Sequence, residues 1–239
     1  MEYRSFSFTS EGGREENQDA AAAREKASAA IYIVADGLGG HQDGKLASEC
    51  VTQTLVQAWE AAPPENQETW LKEQFAKVQE QLLELQEKKN STMKSTAAVL
   101  TLRDSTAVWA NTGDSRVYHL RGSRIEHVTE DHSVAYKKYK AGEISRAQIN
   151  TDDDQSCLLK ALGNKDKWQP DIGGCEVEAG DGFLLCSDGV WEYVYDEEII
   201  IDWLKAETPD EWAELLLMRM LDRIKPGNDN LTIMTVAVR

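Results

Sequence analysis

Apolar positions along the chain fall into short runs, most with a two-residue period, and a few longer helical stripes. Residues 3–9 (YRSFSFT) alternate and predict a strand. Residues 31–35 (IYIVA) form a continuous apolar run that stops at Asp36-Gly37, which predicts a buried strand delivering a carboxylate to a tight turn. A helical pattern follows from Leu46 to Glu60 and is broken at Pro63-Pro64. Between Glu68 and Lys89, residues Leu71, Phe75, Val78, Leu82 and Leu85 recur at steps of four and three, giving one apolar helix stripe. The repeat lasts only about two heptads, so packing against a sheet is expected rather than a coiled coil.

The next runs are strand-like: 96–102 (TAAVLTL), 106–111 (TAVWAN), 115–120 (SRVYHL) and a short one at 124–128. Strands that succeed one another with only turns between them favour antiparallel sheet over β-α-β units. The stretch 131–170 is polar and partly helical, and carries Asp152-Asp153-Asp154. It reads as an insert or flap over a site, although a solvated acidic loop is the commoner origin of such a triplet. A strand at 183–186 (FLLC), helices at 196–205 and 209–224, and a last strand at 231–238 (LTIMTVAV) complete the chain. With no low-complexity linker and no repeat, residues 1–239 are expected to form a single domain.

Composition narrows the function. The 239 residues carry 42 acidic and 26 basic side chains, a net charge of −16. That balance disfavours nucleic acid and anionic membrane as partners. The four cysteines are scattered without a C-x-x-C pair, so neither a zinc site nor a disulfide framework is expected. The start lacks the layout of a signal peptide and no apolar run approaches the ~18 residues of a membrane span, so the expected location is cytoplasmic.

The chemistry concentrates at aspartates beside strands: IYIVADG, FLLCSDG and GNDNLTIMTVAV, with a fourth in WANTGDSRVYHL. Each Asp-Gly taken alone is most simply a turn. The repetition of the context, with few basic residues nearby, points instead to clustered carboxylates that repel one another and call for a divalent cation. Oxygen-only ligands select Mg²⁺ or Mn²⁺ over zinc. Arg14 follows two glycines and offers a planar fork for phosphate oxygens, its bland alternative being a surface pair with Glu15 or Glu16. Residues 39–45 (GGHQDGK) imitate a P-loop, but Leu46 stands where Ser or Thr must hold Mg²⁺. No cysteine is followed six positions later by arginine, and no G-x-S-x-G occurs, which removes cysteine phosphatases and serine hydrolases.

In this order, REENQD (14–19), VADGLGGH (34–41), TGDSRVY (112–118), CSDGVWEYV (186–194) and NDNLTIMTV (228–236) resemble the metal-dependent type 2C (PPM) serine/threonine protein phosphatases, in particular their bacterial stand-alone branch. The resemblance implies an α+β fold, a four-layer α/β/β/α sandwich of two antiparallel sheets flanked by helices. It implies two Mn²⁺ or Mg²⁺ ions held by Asp19, Asp36, Asp188 and Asp229 with the Gly37 carbonyl, and a third ion at Asp114 with Asp188. It assigns Arg14 to the substrate phosphate, makes Asp36 and Arg14 the catalytic pair, and places the family's flap at 131–170. Three positions depart from the pattern: Gln18 replaces a glutamate, Leu38 stands where many members have a histidine acid, and Lys45 stands where bacterial relatives carry glutamate. Loss of the histidine leaves His41 or a metal-bound water as proton donor.

The implied activity is hydrolysis of phosphoserine or phosphothreonine in a protein by a metal-activated water. The chain is expected to act as a monomer that reverses a Ser/Thr kinase, with that kinase or a forkhead-associated protein as partner and type VI secretion control as one setting. The alternatives are a pseudophosphatase of the same fold that binds phosphoproteins without cleaving them, and an unrelated Mg²⁺-dependent nuclease or nucleotide hydrolase.

Overall fold

The computed structural model describes residues 1–40 and 42–239, with Gln42 described by its backbone alone. Two antiparallel sheets stack face to face and helices cover their outer faces. One sheet runs β1 (Tyr3–Ser10), β11 (Leu231–Val238), β10 (Asp181–Cys186), β7 (Arg116–Arg121), β8 (Arg124–Val128). The other runs β2 (Asp19–Lys26), β3 (Ala29–Leu38), β5 (Ala97–Arg103), β6 (Thr106–Thr112), β9 (Asp171–Glu176), with the short β4 (Lys94–Ser95) paired to β3. The α+β sandwich expected from the sequence is the architecture found.

Strand periodicity sorts the core into three layers. On β3, Ala30, Tyr32 and Val34 face the opposite sheet, while Ile31, Ile33 and Ala35 face α1 (Gln42–Ala61) and α2 (Gln67–Lys89). Both faces are therefore buried, which explains the unbroken apolar run. On β11, Met234, Val236 and Val238 enter the central layer; Leu231 and Ile233 meet α5 (Asp196–Lys205) and α6 (Pro209–Leu221). The stripe of α2 packs as expected, with Leu71, Phe75, Val78 and Leu82 buried in the layer that contains α1. Asn66 caps its start by accepting the Thr69 N–H at 3.0 Å, and Asn90 ends it in the left-handed conformation at φ 50°.

One strand boundary and two unforeseen strands differ from the sequence expectation. β3 continues through Asp36-Gly37 to Leu38, because β4 pairs with Gly37 and Leu38 and extends the ladder. The strand therefore carries Asp36 rather than ending before it. β2 (DAAAAREK) and β9 (DIGGCE) have no hydrophobic signature, yet β2 pairs with β3 over eight positions and β9 with β6 over six. Both are edge strands, each paired with one strand only. The stretch 131–170 contains α3 (Val134–Lys140) and a 3-10 helix (Arg146–Thr151). Its acidic triplet is a structural loop: Lys138 bridges Asp152 and Asp154, each at 2.8 Å. Among the described residues no helix is long and apolar enough to cross a membrane.

Candidate active site

The register of β2 on β3 sets Asp19 directly opposite Asp36. Asp36 is anchored by its backbone: its N–H donates to Thr96 Oγ1 at 2.9 Å, and its carbonyl accepts from Thr96 N at 2.8 Å and Ser95 Oγ at 3.0 Å. The next residue must be glycine. A Cβ on Gly37 would lie 1.9 Å from the Gly44 carbonyl oxygen, where the start of α1 crosses the strand.

The other carboxylates come from turns at the same end of the sandwich. Asp114 lies in the β6–β7 turn, after Gly113 at φ +97°, and Thr96 Oγ1 meets Ser115 Oγ at 2.7 Å to tie that turn to β3's neighbour. Asp188 opens the one-turn helix α4 (Asp188–Trp191) that follows β10. Asp229 precedes β11, and its Oδ1 accepts the Asn230 N–H at 2.8 Å. Together Arg14, Asp36, Gly37, Asp114, Asp188 and Asp229 line a cleft of about 660 Å³; Asp19 is buried opposite Asp36 and does not line it. Leu38 lines the same cleft, and so do Ser156 and Leu158 from the 131–170 stretch. His41, the candidate proton donor, lies outside the described residues.

The electrostatics are those of an anionic cluster lacking enough cations. Burial, reinforced by Asp188, Asp19, Asp114 and Asp229, pushes the Asp36 carboxyl well above its usual range. Asp188 is raised in the same way, by burial and then Asp114, Glu192, Asp229 and Asp19. Burial lifts Asp19 to about 6, Asp114 to about 7 and Glu192 to about 7. Asp19 Oδ2 accepts from Ser187 Oγ at 2.7 Å, but its buried Oδ1 has no hydrogen-bond partner. An orphaned buried carboxylate oxygen facing other carboxylates fits a divalent cation. Among the described residues no three His, Cys, Asp or Glu side chains are grouped so as to hold an ion by themselves. The carboxylates are spread around the cleft instead, an arrangement suited to Mg²⁺-like ions that keep several waters.

Arg14 does not pair with Glu15 or Glu16. Its Nε and Nη2 donate to Asp229 Oδ1 and Oδ2 at 3.1 and 2.9 Å, on the exposed rim of the cleft. Asn230, which the sequence reading passed over, holds that rim together. Its Oδ1 accepts from Gln18 N at 2.8 Å, and its Nδ2 donates to the Glu11 and Glu16 carbonyls, both at 2.9 Å. Ser187 was also missed; besides Asp19 it accepts the Thr232 N–H at 2.9 Å. Both residues flank aspartates already singled out, in NDN and CSDG, and a polar side chain beside a strand-end aspartate was the available signal.

The profile of the protein phosphatase 2C family matches residues 11–216. This chain belongs to that family. It is 33% identical over 213 residues to the serine/threonine phosphatase stp of Listeria welshimeri, an alignment covering 86% of this chain and 83% of the relative. The catalytic domain of the serine threonine protein phosphatase PstP, in complex with two manganese ions, superimposes with a TM-score of 0.85 at 25% identity, covering 99% and 98% of the two chains. PppA, described as a key regulatory component of the type VI secretion system in Pseudomonas aeruginosa, gives 0.80 at 28% identity, covering 99% and 98%. The chain is a serine/threonine protein phosphatase, and its substrates are phosphoproteins.

Proposed function

We propose that this phosphatase hydrolyses phosphoserine and phosphothreonine with two Mn²⁺ or Mg²⁺ ions held by Asp19, Asp36, Asp188 and Asp229 together with the Gly37 carbonyl. The observation that carries the reading is the buried, mutually repelling carboxylate set with an orphaned oxygen on Asp19. The likeness to the two-manganese phosphatase supports it. When bound, such ions supply a water acidic enough to attack phosphorus near neutral pH.

The chain's own groups do the rest. The Asp19–Asp36 cross-strand pair gives the cluster a rigid floor, since Thr96 holds the Asp36 backbone and Asn17 Oδ1 accepts the Asp19 N–H at 3.0 Å. Arg14 engages Asp229 through Nε and Nη2, which leaves its Nη1 donors for the equatorial oxygens of the substrate phosphate. Positioning and charge stabilisation then account for most of the rate. Ser156 and Leu158 on the cleft wall support the assignment of 131–170 as the flap that meets the substrate chain. Asp114 and Asp188 would hold a third, weaker ion.

Action on a partner of a Ser/Thr kinase, in the cytoplasm and as a monomer, completes the reading. Type VI secretion control is its narrower form, supported by the likeness to PppA. Turnover should be compared in parallel with Mn²⁺, as phosphate release from a phosphothreonine peptide and from ATP and as strand cleavage of single-stranded DNA. Peptide turnover that exceeds the other two supports the reading; preference for ATP or DNA refutes it. Phosphoproteomics of a deletion strain then finds the substrate, and a forkhead-associated protein is the expected class.

A further inference from the structure

The short helix α4 does more than present Asp188. Trp191 follows on the same helical face, three residues on, and is 1% exposed. Its indole Nε1 donates to the backbone carbonyl of Asp114 at 3.0 Å. One buried side chain thus ties the segment bearing Asp188 to the segment bearing Asp114.

The indole is itself fixed from behind. The Arg116 guanidinium stacks 3.8 Å from the Trp191 ring centre, and is locked by Asp131 through Nε at 2.8 Å and Nη2 at 2.6 Å. His132 then holds Gly113 from the other side: its N–H donates to the Gly113 carbonyl at 2.9 Å, and its Nδ1 accepts the Gly113 N–H at 3.1 Å. The 131–170 stretch reaches the same helix, since Asn150 Nδ2 donates to the Trp191 carbonyl at 2.5 Å and Gln155 Nε2 to Glu192 Oε1 at 2.8 Å. A tryptophan retained only for its bulk needs neither the directed indole N–H bond nor the guanidinium stack. Trp212, in the same core layer and fully buried, has an Nε1 with no hydrogen-bond partner among the described residues.

We propose that Trp191 is a positioning residue whose indole N–H sets the spacing of the Asp114 and Asp188 carboxylates, and with it the affinity of the weaker cation site they share. The inference rests on the dinuclear reading above and extends it to a residue that touches neither ion nor substrate. Groups that orient metal ligands from behind commonly change affinity by about 10–100-fold when removed.

The test is calorimetric titration of the chelator-stripped protein with Mn²⁺, without substrate, on wild type, Trp191→Phe, Trp212→Phe and Asp114→Asn. Phenylalanine keeps an aromatic face for Arg116 and removes the N–H. Wild type is expected to show two tighter events and a weaker third, which Asp114→Asn abolishes. Trp191→Phe should weaken the third by about tenfold or more while leaving the tighter pair within about twofold. Trp212→Phe should lower the urea midpoint without moving the isotherm. The proposal is overturned if Trp191→Phe leaves the third event unchanged, weakens all three alike, or is matched by Trp212→Phe. A wild type with two events and no third overturns it while sparing the dinuclear reading; no Mn²⁺ binding at all overturns both.

Discussion

Replacing Asp114 by asparagine should stabilise the metal-free enzyme at neutral and alkaline pH while weakening its response to metal. Asp114 is 3% exposed, and burial together with Asp131 and Glu192 raises its carboxyl from 3.8 to about 7, against the partial relief of Arg116. A raised carboxyl binds its proton in the folded state at pH values where the unfolded chain has already released it. Folding stability therefore falls as pH rises from about 4 to about 7, and the cost is complete above that window. At 1.36 kcal/mol for each pH unit of difference, Asp114 alone accounts for at most about 4 kcal/mol. Water entry and relaxation around the cleft reduce this, so a gain of about 1–3 kcal/mol is expected for Asp114→Asn at pH 8. For a chain of this length that raises Tm by roughly 2–12 °C. Urea and thermal melts in chelator, from pH 4 to pH 8, measure it. The two proteins should converge near pH 4 and diverge as pH rises, and Mn²⁺ should stabilise wild type more than the variant. A variant no more stable than wild type at pH 8, with the same pH slope, refutes the reasoning.

Asp131→Ala strands the Arg116 guanidinium, which is 2% exposed with its partner's side chain at 0%, and should cost about 3–5 kcal/mol in urea unfolding. The double variant Arg116→Met/Asp131→Leu should recover most of that loss, because the uncompensated charge is gone. Gly37→Ala forces a Cβ to 1.9 Å from the Gly44 carbonyl and displaces the strand beside Asp36; kcat/KM should fall by about 100-fold or more in a phosphopeptide assay. Arg14→Lys exchanges a planar fork for a point charge and should raise KM for the phosphopeptide by about tenfold, equivalent to about 1.4 kcal/mol.

Asp36, Asp114, Asp188 and Asp229 were legible in the sequence because each stands beside an apolar run whose strand state was evident, as in IYIVADG and LTIMTVAV, whereas Asp19 was assigned only through the family resemblance. Their convergence at one end of the sandwich was not legible from spacing, since Asp19 meets Asp36 only through the register of β2. That strand, DAAAAREK, has neither β-branched nor aromatic residues; it pairs with β3 alone and packs against α1. Likewise β9 carries two glycines because a Cβ at Gly173 would lie 2.6 Å from the Trp109 indole nitrogen and one at Gly174 2.7 Å from the Ala107 carbonyl oxygen. The network behind the site was hidden for a related reason. Arg116, Asp131 and Trp191 look like surface charges and a core aromatic until the fold brings them within contact, and a buried ion pair leaves no periodic trace. The Asp229 salt bridge of Arg14 was equally unreadable, as 215 residues separate the partners.

Cation binding by the carboxylate cluster is the step on which hydrolysis depends, and Asp36 stands at its centre, acted on by Asp188, Asp19, Asp114 and Asp229. The direct measurement is phosphate release from a phosphothreonine peptide by wild type and Asp36→Asn, across a Mn²⁺ titration and in excess chelator. Wild-type turnover should rise with Mn²⁺ and vanish in chelator, and Asp36→Asn should lose most turnover at every concentration while remaining folded. Full activity in chelator, or an Asp36→Asn enzyme as fast as wild type, would contradict the account.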